Sequence, residues 1–278
     1  MDLSEINRRG LVMLGCGKMG SAMLEGWLKN GLDAGMVHVI DPNPSDWLQG
    51  TGVQINGDLP ENPGVLMIAV KPQMMEEALP RVASFGGGDT LILSVAAGTP
   101  IRVYEQAFGP GTKVIRSMPN TPAAVGKGIT AIVGNSQTGP EDLDLAETLL
   151  SAIGQVVRLN TENQIDAVTG VSGSGPAYIF YMIDTLAAAG RAEGLPADLA
   201  MKLAKATVAG AGVLAENSDE TPEQLRLNVT SPNGTTQAGL EVLMGENGLA
   251  PLIRRTVAAA SARSRELRKR PTRQHSIN

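Results

Sequence analysis

The chain of 278 residues has one cysteine, Cys16, and two histidines, His38 and His275. A single thiol excludes an intramolecular disulfide and fits a reducing compartment, so a cytoplasmic location is expected. With so few soft ligands, no His/Cys/carboxylate cluster has metal-ligand spacing, and no metal is expected. Aromatics make up 3% and the net charge is −5. That composition offers neither stacking platforms nor a basic face for nucleic acid. No run of about 18 apolar residues is present, which argues against a membrane span. The opening MDLSEINRRG lacks an apolar stretch after its charges and does not read as a signal peptide.

What is present is 42% apolar residues, enough for one large or two moderate domains, each with its own core. Residues 1–160 alternate short apolar runs with helical patterns. Strands are expected at Leu11–Gly15, Met36–Asp41, Val65–Val70, Thr90–Val95, Lys113–Ser117, Ile129–Val133 and Gln155–Leu159. They are rich in Val, Ile and Leu without polar alternation, as strands covered on both faces are. Thr99-Pro100 reads as an N-cap followed by proline at the first helical position. Pro140 with Glu141 and Asp142 reads as a second helix start. Alternating strand and helix implies a doubly wound parallel sheet, the α/β class.

The pattern changes near residue 160. Thr161 and Gln164 have capping-box spacing. From there to about residue 270 no strand is expected. Apolar residues recur at helical spacing in Tyr178–Ala192, Leu199–Leu214 and Leu249–Leu267, with small residues at Ala187–Ala189 and Ala209–Gly212. Two domains follow, 1–160 and 161–278, the second all-α and expected to bury its apolar faces on a second copy. The basic tail Arg263–Arg273 reads as a solvated helix end rather than a nucleic-acid arm.

The first strand leads into Gly15-Cys16-Gly17-Lys18-Met19-Gly20, followed by a helix over Ser21–Lys29. Gly15 permits the tight turn, Gly17 clears space for a pyrophosphate, and Gly20 lets the helix sit close to the sheet. The helix N-terminus then offers unpaired N–H groups to the phosphates. Asp41 closes the second strand 21 positions beyond Gly20, near the expected spacing of about 20. This context predicts dinucleotide binding. Asp41 can accept both ribose hydroxyls of NADH and repels a 2′-phosphate. No arginine follows it in Asp41-Pro42-Asn43-Pro44-Ser45, so the site leans toward NADH or dual use rather than strict NADPH. Cys16 reads as a small loop residue rather than a redox centre.

Three further strand ends fall where ligands bind in open α/β sheets: Ala69-Val70-Lys71-Pro72, Ser94-Val95-Ala96-Ala97-Gly98 and Arg116-Ser117-Met118-Pro119-Asn120-Thr121-Pro122. Lys71 suits phosphate or ribose. The Ala-Ala-Gly run suits a flat nicotinamide floor.

Together with "SGSGPAY" at 172–178 and "TSPNGTT" at 230–236, these motifs resemble pyrroline-5-carboxylate reductases, in order and over residues 10–268. The resemblance implies an N-terminal Rossmann domain and a C-terminal dimerisation domain. It implies NAD(P)H-dependent reduction of Δ1-pyrroline-5-carboxylate to L-proline, the last step of proline biosynthesis, by a homodimer often set in a larger ring. It places Ser231, Gly234, Thr235 and Thr236 around the substrate, with Thr236 in the catalytic role. It places Asn228, Ala69, Lys71, Ala96, Ala97 and Asn120 on the cofactor. Where the family has a second glycine this chain has Asn233, and asparagine visits positive φ more readily than other non-glycine residues.

A hydroxy-acid dehydrogenase on the same scaffold needs a proton donor for the developing alkoxide, and Gln164–Gly190 contains no lysine. Iminium reduction generates no oxyanion. Positioning alone can supply about 7–11 kcal/mol there. The alternatives are a 3-hydroxyacid dehydrogenase or other imine or ketone reductase, and, in another class, a non-catalytic dinucleotide sensor.

Overall fold

The structure, a computed structural model, describes residues 2–269; His275 and the Arg270–Arg273 part of the basic tail lie outside the described residues. Packing divides the chain into two compact units. Among the described residues, one holds 2–173 and 261–269, and the other is Ser174–Ala260. The change in pattern at residue 160 precedes both junctions, because Ile165, fully buried, packs into the core of the sheet.

The first unit is built on eight strands: β1 (Leu11–Leu14), β2 (Val37–Ile40), β3 (Gln54–Ile55), β4 (Val65–Ile68), β5 (Leu91–Ser94), β6 (Val114–Met118), β7 (Gly128–Gly134) and β8 (Gly154–Arg158). Their order is β3-β2-β1-β4-β5-β6-β7-β8. Between them lie α1 (Ser4–Arg9), α2 (Lys18–Lys29), α3 (Asp46–Gln49), α4 (Met75–Ala78), α5 (Ile101–Phe108), α6 (Pro140–Leu150) and α7 (Gln164–Val168). Every residue of β1, β4, β5 and β6 is buried. Along β1, Leu11 and Met13 enter one core cluster while Val12 and Leu14 enter the other. A strand with a helix layer on each face is apolar at most positions, and Ser94, Arg116 and Ser117 are buried polar exceptions in β5 and β6.

The sheet is doubly wound and parallel, as expected, except at one pair. β6 and β7 pair antiparallel, with Ser117 opposite Ile132. Only residues 119–127 join them, and a parallel crossover needs about a dozen residues or more. The remaining pairs are parallel. The two-residue β3 and the short α1 were not expected from the sequence; each is too brief to establish a period.

Two helix starts also differ. α5 begins at Ile101 with Pro100 as its cap residue, one position later than Thr99-Pro100 implied. Its first N–H is satisfied from a distance, by Glu162 Oε1 at 2.9 Å. The same oxygen accepts Arg116 Nη1 at 2.7 Å. At residues 160–164, Gln164 Oε1 accepts the Asn160 and Thr161 N–H groups, but the cap residue of α7 is Asn163.

The second unit consists of α8 (Gly175–Ala192), α9 (Ala197–Asn217), α10 (Pro222–Asn228), α11 (Thr235–Leu243) and α12 (Leu249–Lys269) up to Ala260. α8 and α9 pack through small residues: a methyl on Gly190 would sit 3.4 Å from the Ala200 Cβ. Ala187, Ala200 and Ala204 are buried there, while Phe180, Tyr181, Leu214 and Val242 are exposed.

In the described end of α12, Arg263 and Arg265 are exposed, as expected of a solvated helix end, while Ser264 and Arg268 anchor one face. Ser264 donates to Asp166 Oδ1 at 2.7 Å. Arg268 donates to Asn163 Oδ1 at 2.9 Å, and a second guanidinium nitrogen lies 3.4 Å from Asp166 Oδ2. Arg263 pairs with Glu266 one turn along.

Candidate active site

The order of the sheet reverses at β1, with β2 on one side and β4 on the other. That crevice outside the carboxyl ends is where dinucleotides bind in doubly wound sheets. The glycine loop lies there. Gly15 has φ +85°, and a Cβ on it would come within 2.7 Å of Val70 Cγ1. Gly20 is packed too, its would-be Cβ 3.0 Å from the Gly15 carbonyl oxygen. At Gly17 a Cβ would meet nothing within 4 Å. So two of the three glycines serve the fold, while Gly17 opens onto free space.

Gly17 is also the cap residue of α2 and provides no side-chain cap. The first intrahelical bond runs from Ser21 N–H to the Gly17 carbonyl at 2.8 Å. The N–H groups of Lys18, Met19 and Gly20 precede it and have no intrahelical acceptor. An open cradle at a bare 12-residue helix N-terminus fits a pyrophosphate.

Asp41 stands beside this loop. Its Oδ2 accepts the Cys16 N–H at 2.8 Å, and its Oδ1 accepts the Asn43 N–H at 2.8 Å. Each oxygen has a lone pair left for a ribose hydroxyl. Asn56, which the sequence reading passed over, grips the Asp41 backbone on both sides: its Oδ1 accepts the Asp41 N–H at 3.0 Å and its Nδ2 donates to the Asp41 carbonyl at 2.7 Å. Asn56 itself has φ +53°. A lone asparagine in a two-residue strand's wake carries no motif, and only the pairing of β2 with β3 reveals its part.

Cys16 is buried, and burial pushes its thiol upward. That opposes a thiolate and agrees with an inert loop residue. Ala69 and Val70 follow β4, with the Ala69 N–H bonded to the Leu14 carbonyl at 2.8 Å. Lys71 and Pro72 are exposed there. Ala96 is buried and Ala97 exposed at the end of β5. The Asn120 amide is used within the unit: Oδ1 accepts the Ile129 N–H at 2.9 Å and Nδ2 donates to the Ser172 carbonyl at 3.2 Å. Ser172 lies in a single π-helical turn, Thr169–Gly173.

The other predicted residues belong to the helical unit. Asn228 ends α10, its amide held by Glu220 Oε2 at 2.8 Å and by Gln224 Nε2 at 2.8 Å. The loop 230–236 opens α11. Asn233 has φ +58° and donates its N–H to Gln237 Oε1 at 2.7 Å. Gly234 is the cap residue and again offers no side-chain cap. The first intrahelical bond is Ala238 N–H to the Gly234 carbonyl at 3.2 Å. The N–H groups of Thr235, Thr236 and Gln237 therefore point out of the helix end, beside the exposed Ser231, Thr235 and Thr236.

The chain is similar to known proteins along most of its length. Residues 162–267 match the family model "Pyrroline-5-carboxylate reductase dimerisation", and residues 11–98 match "NADP oxidoreductase coenzyme F420-dependent". A pyrroline-5-carboxylate reductase of Synechocystis sp. is 44% identical over 81% of this chain and 84% of its own. One from Pseudomonas aeruginosa is 36% identical over 92% of this chain and 96% of its own. Among solved structures, a pyrroline-5-carboxylate reductase from Coxiella burnetii superposes with TM-score 0.88 at 32% identity, covering 94% of this chain and 99% of the other. A Plasmodium falciparum pyrroline carboxylate reductase, solved with NADP bound, gives TM-score 0.80 at 26% identity over 95% and 99%. With relatives this similar along nearly its whole length, the chain belongs to the pyrroline-5-carboxylate reductase family.

Proposed function

We propose that the protein reduces Δ1-pyrroline-5-carboxylate to L-proline with NAD(P)H, acting in the cytoplasm as a homodimer through its helical unit, within a larger ring. The observation that carries this reading is the bare N-terminus of α11. It offers outward N–H groups and three hydroxyls, from Ser231, Thr235 and Thr236, and no acid or base. Such donors suit a carboxylate at the positive end of a helix.

When bound, NAD(P)H supplies a hydride to the imine carbon. The substrate arrives as the protonated iminium, so the carbon gains the hydride while the nitrogen keeps its proton and becomes the amine. The chain's work is positional. Gly17 and the start of α2 would hold the pyrophosphate, Asp41 the adenosine ribose, and Ala69, Val70, Lys71, Pro72, Ala96, Ala97, Asn120 and Asn228 the rest of the cofactor. Gly234 and its neighbours would anchor the substrate, with the Thr236 hydroxyl at the ring nitrogen. The family's dimerisation match and the exposed apolar side chains of α8, α9 and α11 support burial on a second copy.

The test is steady-state NADH and NADPH oxidation with pyrroline-5-carboxylate against 3-keto acids. Turnover confined to the cyclic imine is expected. Preferred turnover of a keto acid would overturn the reading.

A further inference from the structure

Ser94, the last residue of β5, is fully buried. Its Oγ lies 2.5 Å from the Tyr104 hydroxyl and accepts the Ala96 N–H at 3.2 Å. Its carbonyl accepts the Ser117 hydroxyl at 2.7 Å. Tyr104 stands on α5 with no exposed surface. Ser94 and Thr99 bound the turn that carries Ala96 and Ala97, and Gly98 within it has φ +77°. The buried Tyr104 hydroxyl therefore holds the Ser94 end of that turn and, through Ser94 Oγ, reaches the Ala96 N–H.

A buried phenol costs more than a buried phenyl ring unless its oxygen is paired, and packing alone gives no reason for the hydroxyl. Burial pushes the phenol up to about 12, so it stays protonated and able to donate at any physiological pH. Ser94 Oγ has two lone pairs, one for the Tyr104 O–H and one for the Ala96 N–H.

We infer that Tyr104 is a positioning residue for hydride transfer: its hydroxyl holds Ser94 Oγ against the Ala96 N–H and so fixes the Ala96–Ala97 floor beneath the nicotinamide. The inference rests on the reading of that floor as the nicotinamide site.

The experiment compares wild type, Tyr104→Phe and Phe108→Leu as full-length enzymes. Phe108 lies on the same helix in the same core cluster, so its variant loosens the helix without touching the hydroxyl. Steady-state kinetics with NADPH and pyrroline-5-carboxylate, melting temperature, and NADPH affinity by nicotinamide fluorescence are measured on all three. Tyr104→Phe is expected to lose about tenfold in kcat/KM for the cofactor, with NADPH binding weakened and the substrate KM little changed. Phe108→Leu is expected to melt earlier and keep its cofactor parameters. Wild-type cofactor kinetics and affinity in Tyr104→Phe overturn the inference, as does an equal loss in Phe108→Leu. Should Tyr104→Phe not fold, Ser94→Ala removes the same link from the turn side and is judged by the same criteria. A wild type that binds NADPH but does not turn over pyrroline-5-carboxylate refutes the functional reading instead, and the fluorescence comparison still decides the role of Tyr104.

Discussion

The Asp41 carboxylate accepts the backbone N–H of Cys16 at 2.8 Å. The acid at the end of β2 is thus a clamp on the glycine loop as well as a candidate ribose ligand. Asp41→Ala removes both. NADH use should fall more than NADPH use, by about tenfold in the ratio of kcat/KM values, since the 2′-phosphate loses its repulsion. Losing the clamp should also cost about 1–2 kcal/mol in urea unfolding. An unchanged NADH/NADPH ratio would exclude the ribose contact.

Gly15 and Gly17 should separate folding from binding. Gly15→Ala forces a side chain into φ +85° and against Val70, and should cost about 2 kcal/mol or more. Gly17→Asp meets open space at an ordinary φ of −71°. Aspartate also caps helices well. That variant should melt like wild type and bind NAD(P)H at least about tenfold more weakly. Calorimetry and cofactor titration check the pair; normal cofactor affinity in Gly17→Asp would place the pyrophosphate elsewhere.

In the 230–236 loop, Thr236→Ala should lose about tenfold or more in kcat/KM with the fold intact. Wild-type activity would remove Thr236 from the mechanism. Asn233, at φ +58°, should tolerate glycine with activity kept, whereas Asn233→Val should lose activity and about 1–2 kcal/mol of stability. Equal behaviour of the two variants would refute a conformational role for residue 233.

The Arg116 side chain is buried and pairs with Glu162. Arg116→Met strands the carboxylate and uncaps nothing, because Glu162 still accepts the Ile101 N–H. The expected loss is about 3–5 kcal/mol by denaturant unfolding. Arg116→Met with Glu162→Gln should recover part of it, since the stranded charge is gone. A double variant no more stable than the single one would count against charge burial as the cause.

Much of this molecule was legible in the chain. The apolar runs located seven strands within a residue or two, because strands covered on both faces are mostly apolar. Asn233 was readable as a left-handed residue, since the backbone preference of asparagine is local. The antiparallel β7 carried a readable signal in the short 119–127 link, but its direction follows from which neighbour it pairs with. β3 and α1 were too short to show a period.

The sequence by itself determined the order of elements, the glycine loop and the acid-free loop at 230–236, because each depends on residues close together along the chain. Only the tertiary structure decided what Asp41, Asn56, Tyr104 and Glu162 touch. Those contacts join segments brought together by sheet order and helix packing. Glu162, for instance, caps a helix 61 positions away, a relation that burial enforces and no local pattern encodes.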